Sequence, residues 1–548
     1  MQQFIEIYGF LSVLLRGAIS AAQSISVGGV GFLLLVVPLL APAAGEAISA
    51  ATRRLVVWSA LAAAGLIALD AASLSLMLVG SLELDPVAAL TADAVKADAL
   101  ALGPALVLAF AGRTAGGASR LALVLALVLA ALALLAARLG ATHAVSRIDS
   151  PPTLALAEIA HLAGVALWIG GIPYFLMALS RAPDDETRGV VGRRFSRISM
   201  AGAALVVGGG SAMSMVYIGS VEAFYGLAYG VMVLAKIALL LGLLALGASN
   251  FVSVRRLRER GEAALLRLRR FAEAEIGVGF TVIFAAAALS SLPPAVDQPG
   301  DRVALADIVE RLTPQWPIRL ESPDHSTLSV ARPAPNAAAA QAAETPIVVA
   351  SAAVAPRNAE DIAWSEYNHH IAGLFVLAMG FLALLEHWPL AAPAARHWPL
   401  LMLGLAGFLF LRADEAVWPL GDLGLIESLR DPEIAQHRIF LALVVAFGVF
   451  EWRVRRRKVA APWAPLAFPL ITGLGGALLL AHSHALTDAK QEFLIEITHT
   501  PLALVGVTAA AARWLEIRLP DRAGRLAGLL WPIAFMLAGA MLLVYREA

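Results

Sequence analysis

The chain has 548 residues, of which 59% are hydrophobic and 15% charged, with a formal net charge of zero and no cysteine. A soluble protein needs more polar surface than this, so lipid must be its main solvent, and a neutral chain without an isolated basic block offers nothing to nucleic acid. The absence of thiols excludes disulfides, thiolate metal sites and iron–sulfur ligation, which leaves His and Met for soft-metal chemistry.

The N-terminus opens with Met1, Gln2 and Gln3 instead of a basic region. Its first apolar run is longer than the core of a signal peptide, which predicts a retained helix. Further apolar runs recur along the chain, and a run of about twenty residues crosses ~30 Å of hydrocarbon as a helix. In chain order the predicted spans are 17–40, 55–77, 96–112, 119–138, 155–178, 199–218, 224–246, 274–293, 369–388, 398–412, 436–452, 464–483, 495–513 and 526–545. The expected fold is therefore all-α, a polytopic integral membrane bundle of about fourteen transmembrane helices.

Basic residues fall on alternate loops: Arg53 and Arg54, Arg113 and Arg120, Arg181 to Arg197, Arg255 to Arg270, Arg453 to Lys458, and Arg513 to Arg525. By the positive-inside rule those loops are cytoplasmic, so with an even helix count both termini face outward. The long connection then lies outside; it is expected to hold a short amphipathic helix near Arg302–Leu312 and to become an Ala- and Pro-rich linker. It divides the chain into an eight-helix domain at 1–293, an outer loop at 294–365 and a six-helix domain at 366–548.

Of the eleven histidines, only His387 and His397 fall on the inner side. Such lopsided placement suits ligands gathered at one depth, since imidazole binds Cu, Zn, Fe and Ni. In the second half the candidates are His369 and His370 at the start of one helix, His437 at the start of another, His482 and His484 at a helix end, and His499. Glu496 and His499 are three residues apart and share a helix face, a spacing used by carboxylate-bridged metal sites in bundles. In the first half the set is His143, Glu158 and His161, with Met213 and Met215 near the same depth as soft ligands. The competing assignment is interfacial histidines that cap helix ends and bond loop carbonyls, with methionines as core filler. Met213 and Met215 diverge on a regular helix and converge only if Gly208, Gly209 and Gly210 loosen it.

The two halves echo one another. A helix-ending His143 precedes Glu158 and His161, and a helix-ending His484 precedes Glu496 and His499, which suggests a parallel internal repeat. Three ionisable residues, Arg16, Asp70 and Lys236, are read within spans, where such residues are costly and face the bundle or a wet cavity. Arg16 and Asp70 come to similar depth and form a possible ion pair.

The stretch HLAGVALWIGG at 161–171, then Arg194, Phe195 and Ser196, then Tyr229 and Gly230 with Lys236 and Asn250, resembles the copper resistance protein D family of bacterial inner-membrane proteins. The resemblance spans about residues 10–295. It implies handling of the copper ion at the periplasmic face and its movement inward, with His143 and His161 as the family's histidines. Two departures stand out: six further helices carry their own histidine cluster, as in extended members of the family, and no soluble copper-binding domain of the copper resistance protein C kind is present. A separate periplasmic copper-donor protein is therefore expected.

The sequence holds neither a phosphate-cradling Gly-rich loop with Lys and Ser/Thr nor the Asp–Lys–Thr–Gly of a phosphorylating pump, so a transporter that is neither ATP-driven nor an enzyme is expected. Two rivals remain open. One is a redox protein whose outer-face His pairs ligate haem b and exchange electrons with quinone or copper. The other is a factor that delivers copper to an oxidase during assembly.

Overall fold

The computed structural model describes residues 2–82, 84–113, 120–139, 152–328, 359–429, 432–481 and 489–547. Among them there is no strand, only an isolated bridge between Val417 and Leu423. The helices are α1 (Gln2–Leu35), α2 (Pro42–Leu82), α3 (Asp93–Arg113), α4 (Arg120–Leu139), α5 (Pro152–Trp168), α6 (Ile172–Arg181), α7 (Asp185–Tyr217), α8 (Ala228–Arg255) and α9 (Leu257–Leu289). They are followed by α10 (Leu305–Leu312), α11 (Ala359–Leu385), α12 (Leu401–Arg412), α13 (Pro432–Arg455), α14 (Ala467–Ala481), α15 (Ala489–Arg518) and α16 (Arg522–Leu543). Ten helical stretches among the described residues are long and apolar enough to cross a bilayer, and two shorter apolar helices lie at Leu121–Ala137 and Ala464–Leu480. The protein is an all-α, multi-pass membrane protein.

Among the described residues every predicted span coincides largely with helix, but the ends differ. α1 runs for 34 residues and α2 for 41, well beyond the apolar stretches, because charged turns such as those bearing Glu46, Arg53 and Arg54 keep helical geometry outside hydrocarbon. The single span expected at 155–178 is two helices, broken at Gly170 and Gly171. The amphipathic helix of the long connection is α10, with Ile308 and Arg311 buried. The second half of that connection lies largely outside the described residues.

The helices group into two compact units, the first mainly Met1–Arg302 and the second mainly Val303 onward. Without a hydrophobic force between helices in lipid, close packing through small residues holds such bundles together. In the first unit α5 and α7 cross at Gly164 and Gly202: a Cβ on Gly164 would stand 2.6 Å from Gly202 O, and one on Gly202 would stand 2.9 Å from Gly164 O. α1 approaches the break after α5 equally closely, since a Cβ on Gly170 would lie 2.0 Å from Ser24 O.

In the second unit Gly373 and Gly380 of α11 meet Gly539 and Met536 of α16 at backbone contact. At the other end of α11, Arg455 pairs with Glu386 and Glu451 and stacks its guanidinium 4.8 Å from the centroid of buried Trp398.

Candidate functional site

His161 sits on α5, three residues before the Gly164 crossing, so the close approach of α7 decides its surroundings. A Cβ on Gly209 would meet Ala157 O at 2.5 Å and His161 Cβ at 3.0 Å, and one on Gly210 would touch the imidazole at 3.4 Å. The two glycines thus open a slot in α7 that the ring fills. Within it Nδ1 lies 2.9 Å from Val206 O. A carbonyl can only accept, so Nδ1 carries the proton and the lone pair is on Nε2, the state a metal ligand requires.

Around this ring the charges are opposed. Lys236 of α8 acts electrostatically on His161, and Glu158, one helical turn before His161 on α5 and buried, acts on both Lys236 and Tyr229. Tyr217 meets Tyr229 edge-on with centroids 6.3 Å apart. The structure therefore brings together His161, Glu158, Lys236 and Tyr229. Lys236 is explained by this neighbourhood, although its sequence showed no partner. His143 lies outside the described residues.

Met213 and Met215 are not brought together. α7 is one unbroken helix from Asp185 to Tyr217, its triple glycine used for packing rather than unwinding. Met215 is 80% exposed on the outer surface of the helix.

Below His161, two turns further along α5, lies a group that the hydropathy pattern conceals. Trp168 Nε1 donates to Glu275 Oε1 at 3.2 Å, and Asn250 Nδ2 donates to Glu275 Oε2. All three side chains are buried. Asp98 is a second concealed carboxylate, buried along with Asp70, and both act with Arg16 on the buried Tyr8 hydroxyl. Both acids lie within predicted spans, where flanking Ala, Leu and Val outweigh one charge in any window average. The available signal was simply an acid inside a span.

The second unit uses its histidines differently. Both ring nitrogens of buried His370 face carbonyls, Arg319 O at 2.9 Å from Nδ1 and Tyr545 O at 2.8 Å from Nε2, so neither points into a coordination position. His370 ties α11 to the connection that precedes it and to the chain after α16. His369 stacks on Tyr545 with centroids 3.9 Å apart, and its Nδ1 donates to Ser365 O at 2.8 Å. The His499 ring is perpendicular to it at 6.4 Å, with Thr498 Oγ1 3.2 Å from Nδ1.

Tyr545 joins this layer to Glu547, which accepts its hydroxyl at 2.9 Å, while Arg311 donates to the phenol oxygen at 3.2 Å. Burial, and then the nearby Glu547 carboxylate, push the Tyr545 phenol up from its ordinary value. His437 stands apart, 2.7 Å from Asp414 Oδ1 and about half exposed. Among the described residues no three His, Asp or Glu side chains converge on one point. His482 and His484 lie outside the described residues, and Glu496 lies on the α15 turn before His499.

Residues 189–289 match the model of the family described as copper resistance protein D. The chain is similar to that family over this segment, less than a fifth of its length. That segment covers α7 from Gly189 through α9, so it contains the glycine slot, Lys236, Asn250 and Glu275, while His161 and Glu158 come from the preceding helix. Among curated proteins, the "Copper transport protein CutJ" of Bacillus subtilis (strain 168) is 30% identical over 141 residues, a quarter of this chain and a quarter of that protein's length. No solved structure matches.

Proposed function

We propose that the protein carries copper inward across the bacterial inner membrane, taking it up at its periplasmic face and passing it through the first unit. The observation that supports this most directly is His161: the Gly209–Gly210 slot and the bond from Nδ1 to Val206 O present a neutral imidazole with its lone pair on Nε2. Imidazole suits copper, and a fixed tautomer raises the affinity of the open nitrogen. A cation arriving at Nε2 would compete with Lys236 for Glu158, so loading of the site would be felt by α8.

His143 completes the ligand set in this reading, and a periplasmic donor protein supplies the metal. The membrane potential, negative inside, favours inward movement of a cation without ATP. Domain boundaries at 1–293, 294–365 and 366–548, with both termini periplasmic, accompany it. In the second unit His369 and His499, whose rings meet edge-on, are a separate copper-collecting pair in this reading, whereas His370 serves as a clamp. No observation speaks for haem b.

Metal analysis of purified full-length protein after copper loading tests the proposal. His161→Ala should lower bound copper and abolish the copper-dependent phenotype while the protein stays folded. Unchanged copper content and phenotype would sink the assignment of His161.

A further inference from the structure

A carboxyl group inside a bilayer is costly and persists where the bundle gives it partners and a task. Glu275 lies on α9 with 4% of its surface exposed. Two neighbouring helices each give it one donor: the Trp168 indole from α5 at 3.2 Å, and the Asn250 amide from α8. Gly247, one turn before Asn250, leaves room for Glu275 Oε1, which would stand 3.3 Å from a Cβ there. The nearby charges on its own helix are otherwise engaged: Arg270 pairs with Glu273, and Arg269 donates to Leu179 O of α6. Among the described residues no lysine or arginine is bonded to Glu275, which sets it apart from the paired carboxylates.

The partners suit two protonation states. As a carboxylate, Glu275 accepts from the indole and from the Asn250 NH₂. As a carboxylic acid it needs an acceptor for its O–H, and the carbonyl oxygen of Asn250, buried and without a hydrogen-bond partner, becomes that acceptor when the amide turns over. An amide offers donors on one side and an acceptor on the other. The Trp168 bond persists in both states. An aspartate or arginine at position 250 would serve only one of them.

We propose that Glu275 is a proton-binding site within the membrane, alternating between carboxylate and carboxylic acid as the Asn250 amide rotates, and that its proton exchanges with the copper ion passing through the first unit. One proton is taken up by Oε2 and one released to solvent in each cycle, with no electron transferred. Trp168 ties the two levels together, because it lies two turns beyond His161 on α5 and its indole holds Glu275. The coupling rests on the copper-transport reading; the proton site does not.

Two measurements on the full-length protein separate them. Infrared difference spectra across pH should contain a protonated-carboxyl stretch that Glu275→Gln removes and Asn250→Ala shifts. If no pH-dependent carboxyl band is lost in Glu275→Gln, protein whose thermal unfolding matches wild type, the proton site is overturned. In proteoliposomes, copper uptake by wild type should respond to a pH gradient, whereas Glu275→Gln should take up copper with that response lost. A Glu275→Gln protein whose uptake follows the gradient as wild type does would overturn the coupling. If wild type takes up no copper while the infrared band is present, the transport reading fails and the proton site stands. Glu275→Asp, which keeps the acid, should retain a shifted band.

Discussion

His161 of the first unit and His370 of the second both follow an acid on the same helix by about one turn, yet they are put to opposite uses. His161 has one nitrogen fixed by a helix carbonyl and sits in a slot cut by glycine. His370 has both nitrogens engaged by carbonyls from two separate parts of the chain. A histidine with one fixed nitrogen is prepared to bind a ligand; one with two is a cross-link. Imidazole chemistry is the same in both, and backbone placement alone separates them.

The comparison is broken most forcefully at the glycine crossing. Gly202→Leu should destabilise the protein by about 3 kcal/mol or more, since backbone and Trp168 stand within 3.2 Å of its Cβ and overpacking of a tight contact is costly. Gly208→Leu on the same helix has nothing within 4 Å of its Cβ and should be close to neutral. Thermal unfolding in detergent reads both, and equal effects would refute the packing account of the crossing.

His370→Ala is expected to cost about 1–3 kcal/mol because the buried Tyr545 carbonyl loses its partner and the link to Arg319 O goes with it, with bound copper unchanged. A fall in copper content would move His370 into the binding group. His161→Ala should do the reverse: a drop in copper affinity of about tenfold, or ~1.4 kcal/mol, with a smaller change in unfolding temperature. Isothermal titration of the two variants side by side sharpens the contrast.

Tyr545→Phe is a milder change than either histidine variant, removing the bond to Glu547 at about 1 kcal/mol. Its pH dependence has a definite sign. The folded phenol is raised above its unfolded value, so the unfolded chain loses this proton first, and stability falls as pH rises past about 10. The Phe variant should lack that component of the alkaline loss, as measured by denaturation at pH values on either side of it.

How much of the site was legible follows from which forces act locally. His161 and Glu158 were readable because i and i+3 positions on a helix share a face. Lys236 stood out as a charge in an apolar run, but its neighbours come from α5, far away in sequence. Met213 and Met215 looked suitable by type and depth; the regular helix turns Met215 to the surface. The triple glycine was visible, but its task of admitting the His161 ring and the α5 backbone depends on a crossing that hydropathy does not encode. Glu275 went unnoticed because one acid barely lowers the average of an apolar window.

By itself the sequence determined that the chain is a helical membrane protein, where its helices run, and which residue types could meet copper, because hydrocarbon forces backbone bonds into helices and confines charge to loops. The tertiary structure decided which histidine is a clamp and which carries an open lone pair. It also gave Glu275 its two donors. Those outcomes depend on contacts of a few ångströms between helices distant in sequence, where one missing Cβ determines what fits.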